Sequence, residues 1–324
     1  MGCNRFYLLT FCCTVLLMVC AFCCESFARQ KIVFGGGPAG GTFQVVANAI
    51  QMYKPIMDIT EFTVKAEYSA GSTENLINVD AGTVDFGVVY SGEVYQARNG
   101  GLKDDSKKYE NVMAVAYLYG APAHLVVRAG SGITGVRDLK VKKVDVGNPG
   151  SGAFATCELF LTHIGIWDSI ERNSMGYNDA AAAFSNREVD AFWLFTAFPS
   201  GAVLMAAQTS DIAIIDLDTE AQQSGFYKKY PYFSKFSIPA GIYKGVDKDV
   251  PTFQDSALWV AHFRVSGDTV YRLLSIIFSE DGLKHMAGQK KIFKEMSIAS
   301  GIKGIVTPLH PGAEKFWKEK GVLK

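Results

Sequence analysis

The sequence predicts an α/β protein of two similar lobes joined by a hinge, with a ligand cleft between them. Three observations carry this expectation. An apolar β-type stretch runs three times into a small-residue turn and then into a helical pattern, at Gly35–Thr42, Ser69–Thr73 and Asn148–Gly152. β and α patterns alternate along the chain, which argues for a largely parallel sheet. With 324 residues, the chain exceeds a usual single hydrophobic core. Each turn aims unsatisfied backbone N–H groups past a helix N-terminus, so three converging turns would suit a carboxylate or phosphate.

In chain order, Lys31–Phe34 reads as a strand, and Phe43, Val46, Ala47, Ile50 and Tyr53 recur at helical spacing over Thr42–Tyr53. Phe62–Tyr68 alternates like a strand, Thr73–Ala81 is a helix stopped by Gly82, and Asp85–Tyr90 is a strand leading into a helix that ends near Asn99. A polar loop covers Gly100–Glu110. A second unit starts near Leu125, with strands at Leu125–Arg128 and Lys143–Val146, a helix at Ala155–Ile164, helical residues Ala180–Phe184, and strands at Val189–Phe195 and Ile212–Leu217. A strand at Ala257–Phe263 and helices at Thr269–Phe278 and Ala313–Lys320 close the chain. The expected organisation is a leader over 1–28, a first lobe over 29–122, a second over 123–238, and a segment over 239–324 that returns to the first.

Arg5, the apolar run Phe6–Cys24 and the small residues Ser26 and Ala28 predict a secretory signal peptide cut after Ala28, and hence export to a periplasm. Of seven cysteines, only Cys157 lies beyond this leader, so the exported chain has no intramolecular disulfide and no cysteine metal cluster. Lipid attachment at Cys20 is disfavoured by the bulk of Val19. With 32 basic and 32 acidic residues, the charge gives no footprint for nucleic acid.

The first turn spells G-x-G-x-x-G, and Glu67 ends a later strand, as in a dinucleotide site. Export disfavours a nicotinamide enzyme, and the strand ending at Glu67 runs straight into the second small-residue turn. The chain holds no G-x-S-x-G, H-E-x-x-H or Walker loop, and its five histidines lack ligand spacing. Cys157 follows the Gly-Ser-Gly turn but sits among Phe154, Leu159 and Phe160, the setting of a packed, inert thiol. No catalytic residue, cofactor or metal is expected. Tyr68 and Tyr90 end strands beside the turns, where an open α/β sheet binds ligands, and both are placed in the cleft. The turn residues Gly40, Gly41, Gly71, Gly150 and Gly152 join them, with Phe195 as a candidate wall. Ser72, Asn75 and Ser151 serve as helix caps and as ligand donors.

Lys31–Thr42, Ala70–Leu76, Gly82–Gly87 and Gly147–Gly152 resemble, in that order, the TAXI family of substrate-binding proteins of tripartite ATP-independent periplasmic (TRAP) transporters. Val189–Phe192, Ile238–Tyr243 and His310–Ala313 are similar to later landmarks of that family. The resemblance covers nearly all of the exported chain. It implies a type II periplasmic binding-protein fold that captures glutamate, glutamine or a 2-oxoglutarate-like carboxylate by lobe closure. A membrane permease of small and large subunits, driven by an ion gradient, would receive the ligand from a monomeric receptor. The contacts it implies are Thr42, Phe43, Ser72, Asn75, Tyr90, Ser91 and Gly150–Ala153; because Ser72 and Ser151 open helices in different units, they are expected to bond the ligand from opposite lobes.

The chain departs from the family where Phe43-Gln44-Val45 replaces Tyr-Tyr-Pro, where Tyr90-Ser91-Gly92 replaces Gln-Ser-Asp, and where Ala153 replaces Thr. These losses predict a cleft with no carboxylate for an α-ammonium group, favouring a non-amino acid ligand. An exported enzyme or a ligand sensor using the same cleft is the alternative.

Overall fold

The computed structural model describes residues 29–102 and 105–323; the expected leader lies outside the described residues. The first half comprises β1 (Gln30–Gly35), α1 (Thr42–Gln51), β2 (Phe62–Glu67), α2 (Ser72–Ala81), β3 (Phe86–Tyr90) and α3 (Ser91–Arg98). β1 pairs in parallel with β2 on one side and β3 on the other. The long β4 (Val112–Arg128) follows and is buried along almost its whole length. Its unbroken apolar run marks a strand covered on both faces, which hides the period-2 alternation that would reveal it.

The second half holds β5 (Lys143–Asp145), α4 (Gly152–His163), β6 (Glu171–Asn173), α5 (Tyr177–Ser185), β7 (Ala191–Phe195), α6 (Gly201–Thr209) and β8 (Ile212–Ile214). Next come β9 (Ser234–Ile238), β10 (Val250–His262), α7 (Gly267–Ile277), α8 (Glu280–Gln289) and α9 (Pro311–Glu319). The strand order is β2-β1-β3-β10-β4-β7-β5-β6, with β8 beside β4 and β9 beside β10. The expectation of a largely parallel sheet is corrected: β10 runs antiparallel to β3 and β4, and β4 runs antiparallel to β7. Parallel pairing is confined to the two βαβ layers, because the strands that cross between the halves return without a crossover helix.

β4 changes partner midway. Pro122 is the last residue opposite β10, facing Gln254, and Ala123 is the first opposite β7, facing Phe195. Thr252 of β10 donates its hydroxyl to the Ala123 carbonyl at 2.8 Å, so both long strands are tied at this crossing. The C-terminal helices return to the first half. Trp317 of α9 is fully buried, donates its indole N–H to the Val115 carbonyl at 2.8 Å, and packs edge-on against Phe278 at 4.9 Å. Serine caps start two of these helices: Ser266 accepts from the Thr269 amide and Ser279 from the Gly282 amide.

Candidate functional site

α1, α2 and α4 begin at the three small-residue turns, and their first turns meet at one cavity of about 30 Å³. The sequence permits this approach at two glycines. Gly71 has φ +133°, and a Cβ there would lie 3.3 Å from the Ser151 Cα. Gly152 has no room at all, since a Cβ would lie 2.3 Å from the Tyr90 ring. Gly41, Thr42, Phe43, Gly71, Ser72, Tyr90, Ser151, Gly152 and Ala153 line the cavity. Among the described residues, no acceptor pairs with the first-turn amides of Thr42, Phe43, Ser72, Gly152 or Ala153. Five donors therefore gather at three helix starts around one space, which is the electrostatic requirement for holding a carboxylate.

The two halves touch directly across this cavity. The Tyr90 hydroxyl donates to the Phe195 carbonyl at 2.7 Å, the Asn148 amide to the Ala70 carbonyl at 3.2 Å, and the Glu74 backbone amide to the Gly150 carbonyl at 3.2 Å. The Thr42 and Thr196 hydroxyls lie 3.4 Å apart. A space of about 30 Å³ suits one water, so a larger ligand enters only when the halves separate.

Several expected contacts lie elsewhere or act differently. Tyr68 follows β2 at the edge of the sheet and is 70% exposed, off the cavity wall. Asn75 is buried behind the wall, where its side-chain amide donates to the Gly36 and Val88 carbonyls at 2.6 and 2.9 Å and braces α2 against the strand ends. The Ser91 hydroxyl is drawn away to the Gly304 carbonyl at 2.5 Å. Phe195 buries its ring and offers only its carbonyl, which also accepts from Tyr177 at 2.9 Å. Gly40 occupies the turn before α1 with φ +80°, and Gly150 faces a neighbouring cavity.

Both expected serine hydroxyls are already engaged. Ser151 accepts from the Phe154 amide at 3.1 Å and donates to the Asn148 carbonyl at 2.6 Å. Ser72 accepts from the Tyr90 amide at 2.9 Å and donates to Glu93. The cavity receives Ser72 through its backbone amide rather than its hydroxyl.

The structure adds Pro38, Ala70, Asn148, Tyr177 and Thr196 to the wall. Behind Thr42 stands Lys290, whose Nζ donates to the Thr42 hydroxyl at 2.7 Å. Burial lowers its pKa, and among the described residues no carboxylate lies within ion-pair distance of it. No sequence motif marks this lysine.

Near α3 a carboxylate does stand, on the wall of the neighbouring cavity rather than of the anion cavity. Asp255 of β10 accepts from the Gly92 amide at 2.8 Å, and a Cβ at position 92 would lie 2.4 Å from the Tyr232 ring. The carboxylate missing from position 92 is thus supplied by a distant strand. Burial pushes the Asp255 carboxyl up to about 8, opposed by the amides of Gly92 and Ser256, with Glu93 adding to the rise. Glu93 is likewise raised by burial, although the hydroxyls of Ser72 and Thr73 favour its ionised form. Cys157 is fully buried, and burial pushes its thiol well up, which fits the inert role read from its neighbours.

A family model described as the NMT1-like family matches residues 34–321, most of the chain. Among solved structures, a protein of Bordetella bronchiseptica RB50 is 16% identical over 90% of this chain and 89% of that chain, with a TM-score of 0.52. The periplasmic aliphatic sulphonate binding protein SsuA from Escherichia coli is 15% identical over 90% and 84%, at 0.46. A binding protein component of an ABC phosphonate transporter from Pseudomonas aeruginosa is 12% identical over 80% and 79%, at 0.49. At 16% identity the likeness to the Bordetella protein concerns fold alone. The two α/β halves, with a return strand inserted between β3 and β4, form the type II arrangement of solute-binding proteins.

Proposed function

The chain belongs to the NMT1-like family, and from that premise we propose that it is an extracytoplasmic solute receptor, without catalysis, that captures a small carboxylate as its lobes close. One observation carries this reading: unpaired amides from three helix starts surround the same cavity, with the Lys290 ammonium directly behind Thr42. Amides and a cation placed together stabilise an anion more than either does alone. The strands β4 and β10, tied at Ala123, are the hinge in this reading, and lobe I covers 29–122 and 239–324 with lobe II over 123–238.

The resemblance to TAXI proteins supports delivery to an ion-gradient-driven TRAP permease from the periplasm, with a glutamate- or 2-oxoglutarate-like ligand. A thermal-shift and calorimetric screen of glutamate, glutamine, 2-oxoglutarate and simple mono- and dicarboxylates tests the ligand class. A bound acid at a hundred times its Kd should stabilise the fold by about 2.7 kcal/mol. A screen in which only sugars or inorganic cations stabilise the protein would overturn the reading. Vesicles carrying the cognate permease should take up the acid only when the receptor is added.

A further inference from the structure

A second and much larger cavity, about 620 Å³, opens beside the anion cavity and shares Tyr90 with it. Its size lies in the range of small-molecule sites. Its chemistry is opposite to that of its neighbour. Glu93 and Asp255 both face it, 8% and 3% exposed. Their hydrogen bonds come from neutral donors alone: the Ser72 and Thr73 hydroxyls for Glu93, and the Gly92 and Ser256 amides for Asp255. Among the described residues, neither carboxyl has a lysine, arginine or histidine within ion-pair distance. Two buried carboxyls so close together are costly to fold around, and such groups in a cavity mark a functional site.

Beside the carboxyls the wall is aromatic: a Cβ at Gly92 would meet both the Tyr232 ring, at 2.4 Å, and the Asp255 carboxylate, at 2.9 Å. Tyr232 packs at 6.1 Å from Tyr230 and 4.9 Å from Phe233, and all three rings line the cavity with Phe154. Aromatic faces attract cations, and here the Tyr230 ring already carries the Lys229 ammonium at 5.3 Å from its centroid. The volume and the rings suit an organic cation rather than a bare metal ion.

We propose that this cavity is a separate binding site for an organic ammonium ion, its charge held between Glu93 and Asp255 and its carbon skeleton against Tyr230, Tyr232 and Phe233. The site stands independently of the carboxylate reading. Phenethylamine and spermidine are the probes, titrated calorimetrically into the purified protein, with 3-phenylpropionate and calcium chloride as charge-reversed and inorganic controls.

At least one amine should bind saturably at one site per chain, and Glu93→Gln and Asp255→Asn should each weaken it by about tenfold or more. Leu159→Trp narrows the cavity from α4 while leaving both carboxyls in the sequence, and should weaken amine binding by about tenfold or more. Circular dichroism and a carboxylate titration of the same preparations separate loss of this site from loss of fold or of the anion site. If a carboxyl variant does not fold, Leu159→Trp decides. Failure of both amines to bind, amine binding unaffected by these variants, or binding of 3-phenylpropionate or calcium that Leu159→Trp weakens would each overturn the proposal.

Discussion

Lys290 Nζ donates to the Thr42 hydroxyl at 2.7 Å, joining residues 248 positions apart. Thr42 opens α1, and Lys290 ends α8, so the C-terminal return of the chain places its charge behind the anion cavity. The lysine loses hydration there and gains no carboxylate. An anion held in the cavity would supply the opposite charge that it lacks.

Lys290→Met should weaken carboxylate binding by about tenfold, the loss of one charge-assisted contact, while leaving or raising stability, because a half-buried unpaired ammonium is removed. Calorimetry with the best acid from the screen, paired with urea melts, reads both quantities. Unchanged affinity would mean that Lys290 only fastens α8 to α1.

Ser151→Ala should act on folding rather than on the ligand. Its hydroxyl caps α4 at the Phe154 amide, so removal should cost about 1 kcal/mol of stability, with carboxylate affinity changed less than about twofold. A large affinity loss at constant stability would return the hydroxyl to the ligand's first contacts.

The contrast between Ser151 and Lys290 shows how far the sequence could be read. The helix starts were legible because glycine-rich turns after apolar strands leave a local signature, and Thr42, Ser72 and Gly152 do line one cavity. Side-chain commitments were not legible. Nothing in the spacing of Asn75 or Ser91 shows that Gly36, Val88 and Gly304 take up their polar atoms. Lys290 and Asp255 come from segments far along the chain, and only the insertion of β10 between β3 and β4 brings Asp255 to Gly92. β4 was recognised only at its end, since a strand buried on both faces shows no alternation. α8 escaped notice because Gly282 and Gly288 interrupt its helical signal.

Asp255 should give the protein a distinctive pH dependence. Its carboxyl titrates near 3.8 in an unperturbed chain and at about 8 in the fold with no cation bound beside it. Below about pH 4 both states hold the proton; between about 4 and 8 only the fold does, so stability falls as pH rises through that window. Asp145, held at about 7 by burial, adds in the same direction. His124, held near 4 by burial, acts oppositely: the unfolded chain protonates first, and stability falls as pH drops from 6.5 towards 4. Asp255→Asn removes the first component, together with its coupling to Glu93. Its stability relative to the parent should therefore rise by a few kcal/mol, of order, between about pH 4 and 8. Urea midpoints measured across that range check this, and a pH-independent difference would show that Asp255 is ionised in the fold.

Gly152→Ala should separate folding from closure. Gly152 belongs to α4 in the second half, whereas the Tyr90 ring and the Ser72 Cβ belong to the first, at 2.3 and 3.0 Å from where the new methyl would sit. Neither half needs that space for its own core, so each should fold with helical content unchanged. The methyl acts only when the halves meet. It would hold Tyr90 away from the Phe195 carbonyl and pull the amides of Gly152 and Ala153 back from those of Thr42 and Ser72, undoing the convergence that makes the anion site. Carboxylate affinity should drop by more than about a hundredfold, since overpacking a tight contact costs about 1–3 kcal/mol and the donors from one lobe are lost as well. Small-angle scattering should report a larger radius of gyration for the variant in the presence of saturating acid than for the parent under the same conditions. A variant that closes and binds like the parent would mean that Tyr90 swings aside at little cost, and the direct contact between the halves would then be incidental to capture.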